Sequence, residues 1–220
     1  QSRLIELTKA ISTELQLDQL LEKIVLVATD ILHADRSTLF LYDARTNELW
    51  SRIAQGIGTS EIRIPCDLGI AGASFTRNET INIPDPYQDK RFNPEVDRKT
   101  GYRTRNILCM PIVSKDGRPL GVMQVLNKCR GPFNDEDESR LRAFAAQASV
   151  ALENARLFEE VQNERNYNEG ILRSLTNAVV TLDADGLVIK VNEAAQRILH
   201  VKAEDLVDKP ISQTLGPLNP

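Results

Sequence analysis

The sequence is notable first for what it has little of. Three cysteines in 220 residues, Cys66, Cys109 and Cys129, are odd in number and share no C-x-x-C spacing. That pattern argues against a disulfide scaffold or a zinc site and for reduced thiols. The only two histidines, His33 and His200, are far apart, so there is no His-x-x-x-His metal pair and no obvious general base. No run of about 18 apolar residues exists to span a membrane. A formal net charge of −4 lacks the basic excess by which nucleic-acid-binding modules declare themselves. No G-x-S-x-G elbow or P-loop is present, and Gln55-Gly56-Ile57-Gly58 lacks the third glycine of a dinucleotide motif. The amino terminus, Gln1-Ser2-Arg3-Leu4, carries no signal-peptide core and no initiator methionine, which is expected of a cytoplasmic piece of a longer protein.

With 41% hydrophobic and 26% charged residues, the composition is that of a soluble globular protein. From Leu4 to Leu32 the apolar residues recur at helical spacing, first Leu7, Ala10 and Ile11, then Leu17, Leu20, Leu21, Ile24, Val25 and Ala28. Asp18 stands where an N-cap of the second of these helices would be. From Arg36 the period falls to two. Strands are predicted over 37–42, 49–54 and 61–65, then a short helix opening at Leu68-Gly69-Ile70-Ala71-Gly72. Two further strands, Ile107 to Val113 and Pro119 to Asn127, flank an Asp116-Gly117 hairpin signal. An antiparallel β-sheet flanked by helices, an α+β domain over residues 1–155, is the expected architecture.

Between these strands, Asn82 to Arg105 reads as a long polar loop, of the kind that is functional or mobile. Lys90, Arg91, Arg98, Lys99, Arg103 and Arg105 concentrate positive charge there, which would suit a flap over an anionic ligand. Beyond the sheet, Asp137 to Leu175 is one helical stretch with the stripe Leu141, Phe144, Ala148, Leu152 and Ala155. Its later half is too polar for a domain core and is expected to pair with a second copy of itself. Strand patterns over 178–183 and 187–191 and a helix start at Asn192 then open a second, truncated unit. The expected division is 1–155, a helical linker 156–175, and 176–220.

The most specific local pattern is Asn127-Lys128, then Phe133, then Asp137-Glu138, in which a Lys–Asp pair and an aromatic plug would tie the last strand to the long helix. Together with Glu61-Ile62-Arg63-Ile64-Pro65, Gly69-Ile70-Ala71-Gly72, Asn82-Ile83-Pro84-Asp85 and Thr100-Gly101-Tyr102-Arg103-Thr104-Arg105-Asn106, it resembles the cyclic-nucleotide-binding GAF domains of phosphodiesterases and cyanobacterial adenylyl cyclases. The tail around Asn192-Glu193-Ala194-Ala195 is similar to the beginning of a PAS domain.

That resemblance implies a ligand set. Thr38 matches a hydroxyl on the pocket floor, Arg52, Ala54 and Gln55 end the second strand beside the base, and Ile70 and Ala71 offer helix-start amides to the cyclic phosphate. Asn93, Asp97, Thr100 and Thr104 lie in the segment that closes over the ligand, and Gln124 faces the base. An aromatic stacking residue of some relatives is replaced by Ala54, and an acid by Gln124, whose amide both donates and accepts. The implied function is a regulatory segment, not itself an enzyme, that binds cAMP (or cGMP) without metal. It would act as a homodimer through its N- and C-terminal helices and control an adenylyl cyclase. Two alternatives stand beside it: a ligand-free dimerisation module, and a thiol methionine sulfoxide reductase using Cys66 and Cys109. A bilin-bearing photosensor is disfavoured because no Cys-His pair exists.

Overall fold

A computed structural model describes residues 11–51 and 61–214. They form two compact units that divide after Glu159. The first contains helix α1 (Leu17–Ile31), strands β1 (Ala34–Asp43), β2 (Glu48–Ser51) and β3 (Ile62–Pro65), helix α2 (Gly69–Arg77) and strand β4 (Ile81–Ile83). A 3-10 turn (Pro86–Gln88), helix α3 (Glu95–Thr100), strands β5 (Ile107–Val113) and β6 (Pro119–Lys128) and helix α4 (Asp135–Ser174) follow.

The strands make one six-stranded sheet in the order β3-β2-β1-β6-β5-β4, with every neighbouring pair antiparallel. Alternation of side chains gives the sheet two chemically different faces. Leu39, Leu108, Met110, Met123 and Val125 point to one face, where α1 contributes Leu20, Leu21, Ile24, Val25 and Ala28, and α4 contributes Leu141, Phe144, Ala148, Leu152 and Ala155. Phe40, Ile107, Cys109 and Val122, the intervening residues, point to the other and meet Ile70, Ala71 and Phe75 of α2. A one-residue slip in β1, β5 or β6 would exchange the two sets, so the register is strongly fixed.

Several expectations need correction. Asp18 does not cap α1; the N-cap is Gln16, without a side-chain hydrogen bond, and Asp18 lies in the first turn, where its charge still complements the helix dipole. The segment from Asn82 to Arg105 is not a plain loop, because β4, the 3-10 turn and α3 lie in it or at its edge. Elements of three to six residues are too short to impose a readable period. The long helix begins two residues earlier than expected, at Asp135. Asn134 accepts from the Asp137 N–H at 3.0 Å while Asp137 accepts from the Asn134 N–H at 2.9 Å, a reciprocal cap. The helix expected from Leu4 and the strand expected to run to Ala54 lie partly outside the described residues.

The second unit is a β7 (Val180–Leu182) and β8 (Val188–Val191) hairpin with helices α5 (Glu193–Leu199), α6 (Ala203–Leu206) and α7 (Ile211–Thr214). Its small core joins Val188, Val191, Ala195 and Leu206. Asn192 caps α5 through the Ala195 N–H, accepts from the Val179 N–H, and donates to the Leu172 and Asn177 carbonyls.

The tightest backbone approach in the sheet is at Gly121, where a Cβ would sit 2.0 Å from the Phe40 carbonyl oxygen. Gly121→Ala is therefore expected to force β1 and β6 apart and cost about 1–3 kcal/mol. Thermal unfolding followed by circular dichroism should show a midpoint several degrees lower.

Candidate functional site

The α2 face of the sheet is not filled. Between it and the segment from Asp89 to Arg105 lies a cavity of about 240 Å³, just below the usual size of small-ligand pockets. Its floor comes from alternate residues of β1 and β6, one wall from the start of α2, and its cover from α3 and the turns on either side.

Thr38, Ile70, Ala71, Asn93, Asp97, Thr100, Thr104 and Gln124 all border this cavity. Arg52, Ala54 and Gln55 lie outside the described residues. Thr38 and Gln124 are cross-strand partners, which sets a hydroxyl beside an amide on the floor. Neither side chain spends its full hydrogen-bonding capacity within the described residues. At the wall, α2 starts at Gly69 with Leu68 as N-cap and no capping side chain, so its first-turn amides face the cavity end unsatisfied by side chains. Gly72 makes that start possible: a Cβ there would lie 2.4 Å from the Asp67 carbonyl carbon.

The cover is organised by one buried carboxylate. Asp97 Oδ2 accepts from the Thr104 N–H at 2.7 Å and from the Tyr87 hydroxyl at 2.8 Å, and Oδ1 accepts from the Thr104 hydroxyl at 2.8 Å. The bond to Asp97 raises the Tyr87 phenol above its ordinary pKa. Thr100 donates to the Val96 carbonyl within its own helix, and Asn93 accepts from the Glu95 N–H. Four of the expected ligand residues are thus engaged in holding the cover together. Of the expected cationic cluster, Arg91 forks onto Asp89, Arg105 pairs with Asp35 at 3.2 Å, and Arg103 lies 4.1 Å over the Tyr87 ring.

The Asn127…Glu138 residues sit at the edge of this cover and do not border the cavity. Asn127, at φ 57°, accepts from the Arg105 N–H at 2.6 Å and donates to the Arg103 carbonyl at 2.8 Å. Lys128 forms a close ion pair with Asp137, both largely buried, and Phe133 is packed into the α1–α4 core. Glu138 accepts from the Asn82 amide at 2.9 Å.

Sequence reasoning missed Arg36 and Tyr102. Arg36 shares the β1 face with Thr38, a signal that alternation alone carries. Its guanidinium lies 3.9 Å over the Tyr102 ring. The Tyr102 hydroxyl is buried without a hydrogen-bond partner, and burial pushes its pKa up to about 12. Nothing in the chain pattern announced that contact. Cys109 is completely buried beside Gln124, and burial raises its thiol well above the ordinary range, whereas Cys66 is half-buried and Cys129 exposed. No group of three or more metal-ligating side chains is found among the described residues. No helix there is long and apolar enough to cross a membrane.

A GAF domain model matches residues 16–152, and a PAS fold model matches residues 166–217. The chain is 32% identical over 209 residues to a dual 3',5'-cyclic-AMP and -GMP phosphodiesterase 11A of Takifugu rubripes, covering 89% of this chain and 23% of that protein. It is 34% identical over 214 residues to a cGMP-specific 3',5'-cyclic phosphodiesterase of Drosophila ananassae, covering 89% of this chain and 18% of that protein. The chain therefore spans less than a quarter of the length of either relative. The GAF domain of a phosphoenolpyruvate-protein phosphotransferase from Coxiella burnetii superposes with a TM-score of 0.62 at 24% identity, over 70% of this chain and 92% of that one, a likeness of fold.

The Arg91 guanidinium holds the Asp89 carboxyl at about 2, below its ordinary 3.8. Because the folded value is the lower one, the pair stabilises the fold above about pH 4 and that contribution fades as pH falls toward 2. Thermal midpoints measured across this window should fall more steeply for wild type than for Asp89→Asn, and the two curves should run parallel above it.

Proposed function

The chain belongs to the GAF domain family, and from that premise we propose that its first unit binds a cyclic nucleotide, cAMP in preference to cGMP, and regulates a signalling enzyme without itself performing a reaction. The observation carrying this reading is that eight residues from β1, α2, α3, the turns on either side of it and β6 converge on one cavity. Its parts match the parts of the ligand. Open amides at the start of α2 suit the anionic phosphate, since backbone N–H groups and the dipole both favour negative charge there. Thr38 and Gln124 offer directed hydrogen bonds to a base, and apolar Phe40, Ile64 and Leu126 supply the flat contact that a purine face needs.

Two phosphodiesterases are named for cyclic nucleotides, which supports the ligand class. They do not support a cyclase parent, nor a preference for cAMP. The adenylyl cyclase reading rests on the GAF–PAS order alone and the cAMP reading follows from it, since an amide such as Gln124 can by itself serve either base. The reductase alternative finds no support in Cys109, whose burial disfavours the thiolate such chemistry requires.

We also read the protein as a homodimer in the cytoplasm. Asn154, Leu157, Val161, Glu164, Asn168 and Ile171 follow alternating three- and four-residue steps along α4, and all six are exposed. Val161 and Leu157 are 62% and 59% exposed, large apolar side chains that a second copy of the helix would cover. Asn154 and Asn168, two heptads apart with Val161 midway between them, suit a two-stranded parallel pairing in one register. Leu26 on α1 is a further large apolar side chain left exposed, on the N-terminal helix that the homodimer reading also invokes.

Calorimetry with cAMP and cGMP tests the ligand: saturable binding of at least one is expected, and Asp97→Ala, which unties Thr104 and Tyr87 from α3, should weaken it by about tenfold or more. Binding of neither would leave the ligand-free dimerisation module as the reading. Sedimentation tests the seam: Val161→Lys is expected to convert a dimer to a monomer while leaving nucleotide affinity within about twofold, since Val161 does not border the cavity.

A further inference from the structure

Behind the cavity floor lies a residue whose role the nucleotide reading leaves open; the inference below rests on that reading. Thr38, Gln124 and Cys109 lie side by side across β1, β6 and β5, paired directly in the sheet register. Thr38 and Gln124 border the cavity, while Cys109 is sealed beside them at 0% exposure. The Cys109 sulfur is 3.5 Å from the Gln124 side-chain oxygen. A thiol in that dry setting keeps its proton, so sulfur is the donor and the amide oxygen the acceptor. The amide –NH2 of Gln124 then has no partner among the described residues and is left for whatever occupies the cavity.

We propose that Cys109 is a positioning residue that fixes the Gln124 amide with its –NH2 toward the ligand, and so biases the site toward adenine over guanine. A free glutamine turns its amide over at little cost and serves either base. One whose oxygen is held back by a thiol offers only donors. Adenine presents a ring acceptor, N1, at its pairing edge, which such a donor meets. Guanine presents a ring N–H at that same position, between its O6 acceptor and its amine, so a donor fixed to meet adenine N1 faces a donor instead and leaves both unsatisfied in a desolvated pocket. Thr38 does not choose, because a hydroxyl takes a neighbouring donor or acceptor equally well.

The experiment measures the dissociation constants of cAMP and cGMP side by side for the whole chain. Cys109→Ala should lower the cGMP-to-cAMP ratio of dissociation constants by about three- to tenfold, the worth of one hydrogen bond, chiefly by improving cGMP. Cys109→Ser, whose hydroxyl can donate to the Gln124 oxygen or accept from a turned amide, should give a ratio between those of wild type and Cys109→Ala. A ratio unchanged in Cys109→Ala, or both affinities falling together, would mean that Cys109 is only a packing residue. If Cys109→Ala does not fold, infrared spectroscopy of Cys66→Ser/Cys129→Ser gives an independent measure. The remaining S–H stretch should lie at hydrogen-bonded frequency and move to the free value on Gln124→Leu; no movement would overturn the assignment. A wild type that binds both nucleotides but prefers cGMP defeats this inference and the cAMP preference while leaving the cyclic-nucleotide reading intact, whereas binding of neither defeats that reading and this inference with it.

Discussion

The cover of the cavity is held in place by the side chain of Asn127. Its oxygen takes the Arg105 N–H and its nitrogen gives to the Arg103 carbonyl, so one amide satisfies both polarities of a backbone stretch that has no strand of its own there. The next residue, Lys128, takes its backbone N–H to Asn106 Oδ1 and its ammonium to Asp137. Asp137 in turn closes the reciprocal cap with Asn134 that starts α4. A buried ion pair of this kind adds little net stability, because desolvation offsets most of the attraction. What it does is penalise any alternative in which one partner stays buried alone. The dipeptide therefore fixes where three things meet: the last strand, the end of the cover, and the first turn of the longest helix.

The same sheet carries two tasks because its faces are decoupled by alternation. The face toward α1 and α4 is packed with Leu, Ile, Met and Ala into one buried apolar cluster. On the other face, β6 places Gln124 between Val122 and Leu126, and β1 places Thr38 between Arg36 and Phe40. A polar group at these positions would be costly under a close-packed helix. It is tolerated here because α2 covers only part of the face and leaves space above them. The stability of the domain and the chemistry of its cavity are thus carried by neighbouring residues of the same strands that never touch the same layer.

How much of this was legible in the sequence follows from element length and from the range of each contact. The strands around Leu39–Leu41, Ile107–Val113 and Val122–Val125, and both long helices, were visible because each repeats its period several times. The three-residue β4 and six-residue α3 were not, being shorter than two periods of anything. The family resemblance gathered eight cavity residues that no periodicity connects, since Thr38 and Gln124 are far apart along the chain. Arg36 could have been found from Thr38 by stepping two residues along β1. Tyr102 could not, because its ring is positioned by a turn after α3 and by contact with Arg36. Nor did the sequence hint that Asp97 and Thr104 would bond each other across that turn, or that Asn127 would adopt a left-handed conformation to reach the cover.

A cover tied off at Asn127 has a consequence for how a ligand could speak to α4. Among the described residues no α4 residue borders the cavity, and the first turn of that helix is tied to the cover through the Asn127–Lys128 strand end and through Asn82, which donates to Glu138 and to the Phe133 carbonyl. An occupant that merely filled the space with equal affinity for every arrangement of the cover would shift nothing, however tightly it bound. To move α4 between two arrangements from 1:99 to 99:1, it must prefer one of them by about 5.5 kcal/mol. The groups able to supply such a preference are those already committed within the cover, Asp97, Thr100 and Thr104, because a ligand that recruits them has to break or replace bonds on which the present arrangement depends. On the proposed nucleotide reading, the floor groups would bear on which base is chosen and the engaged ones on what its arrival does.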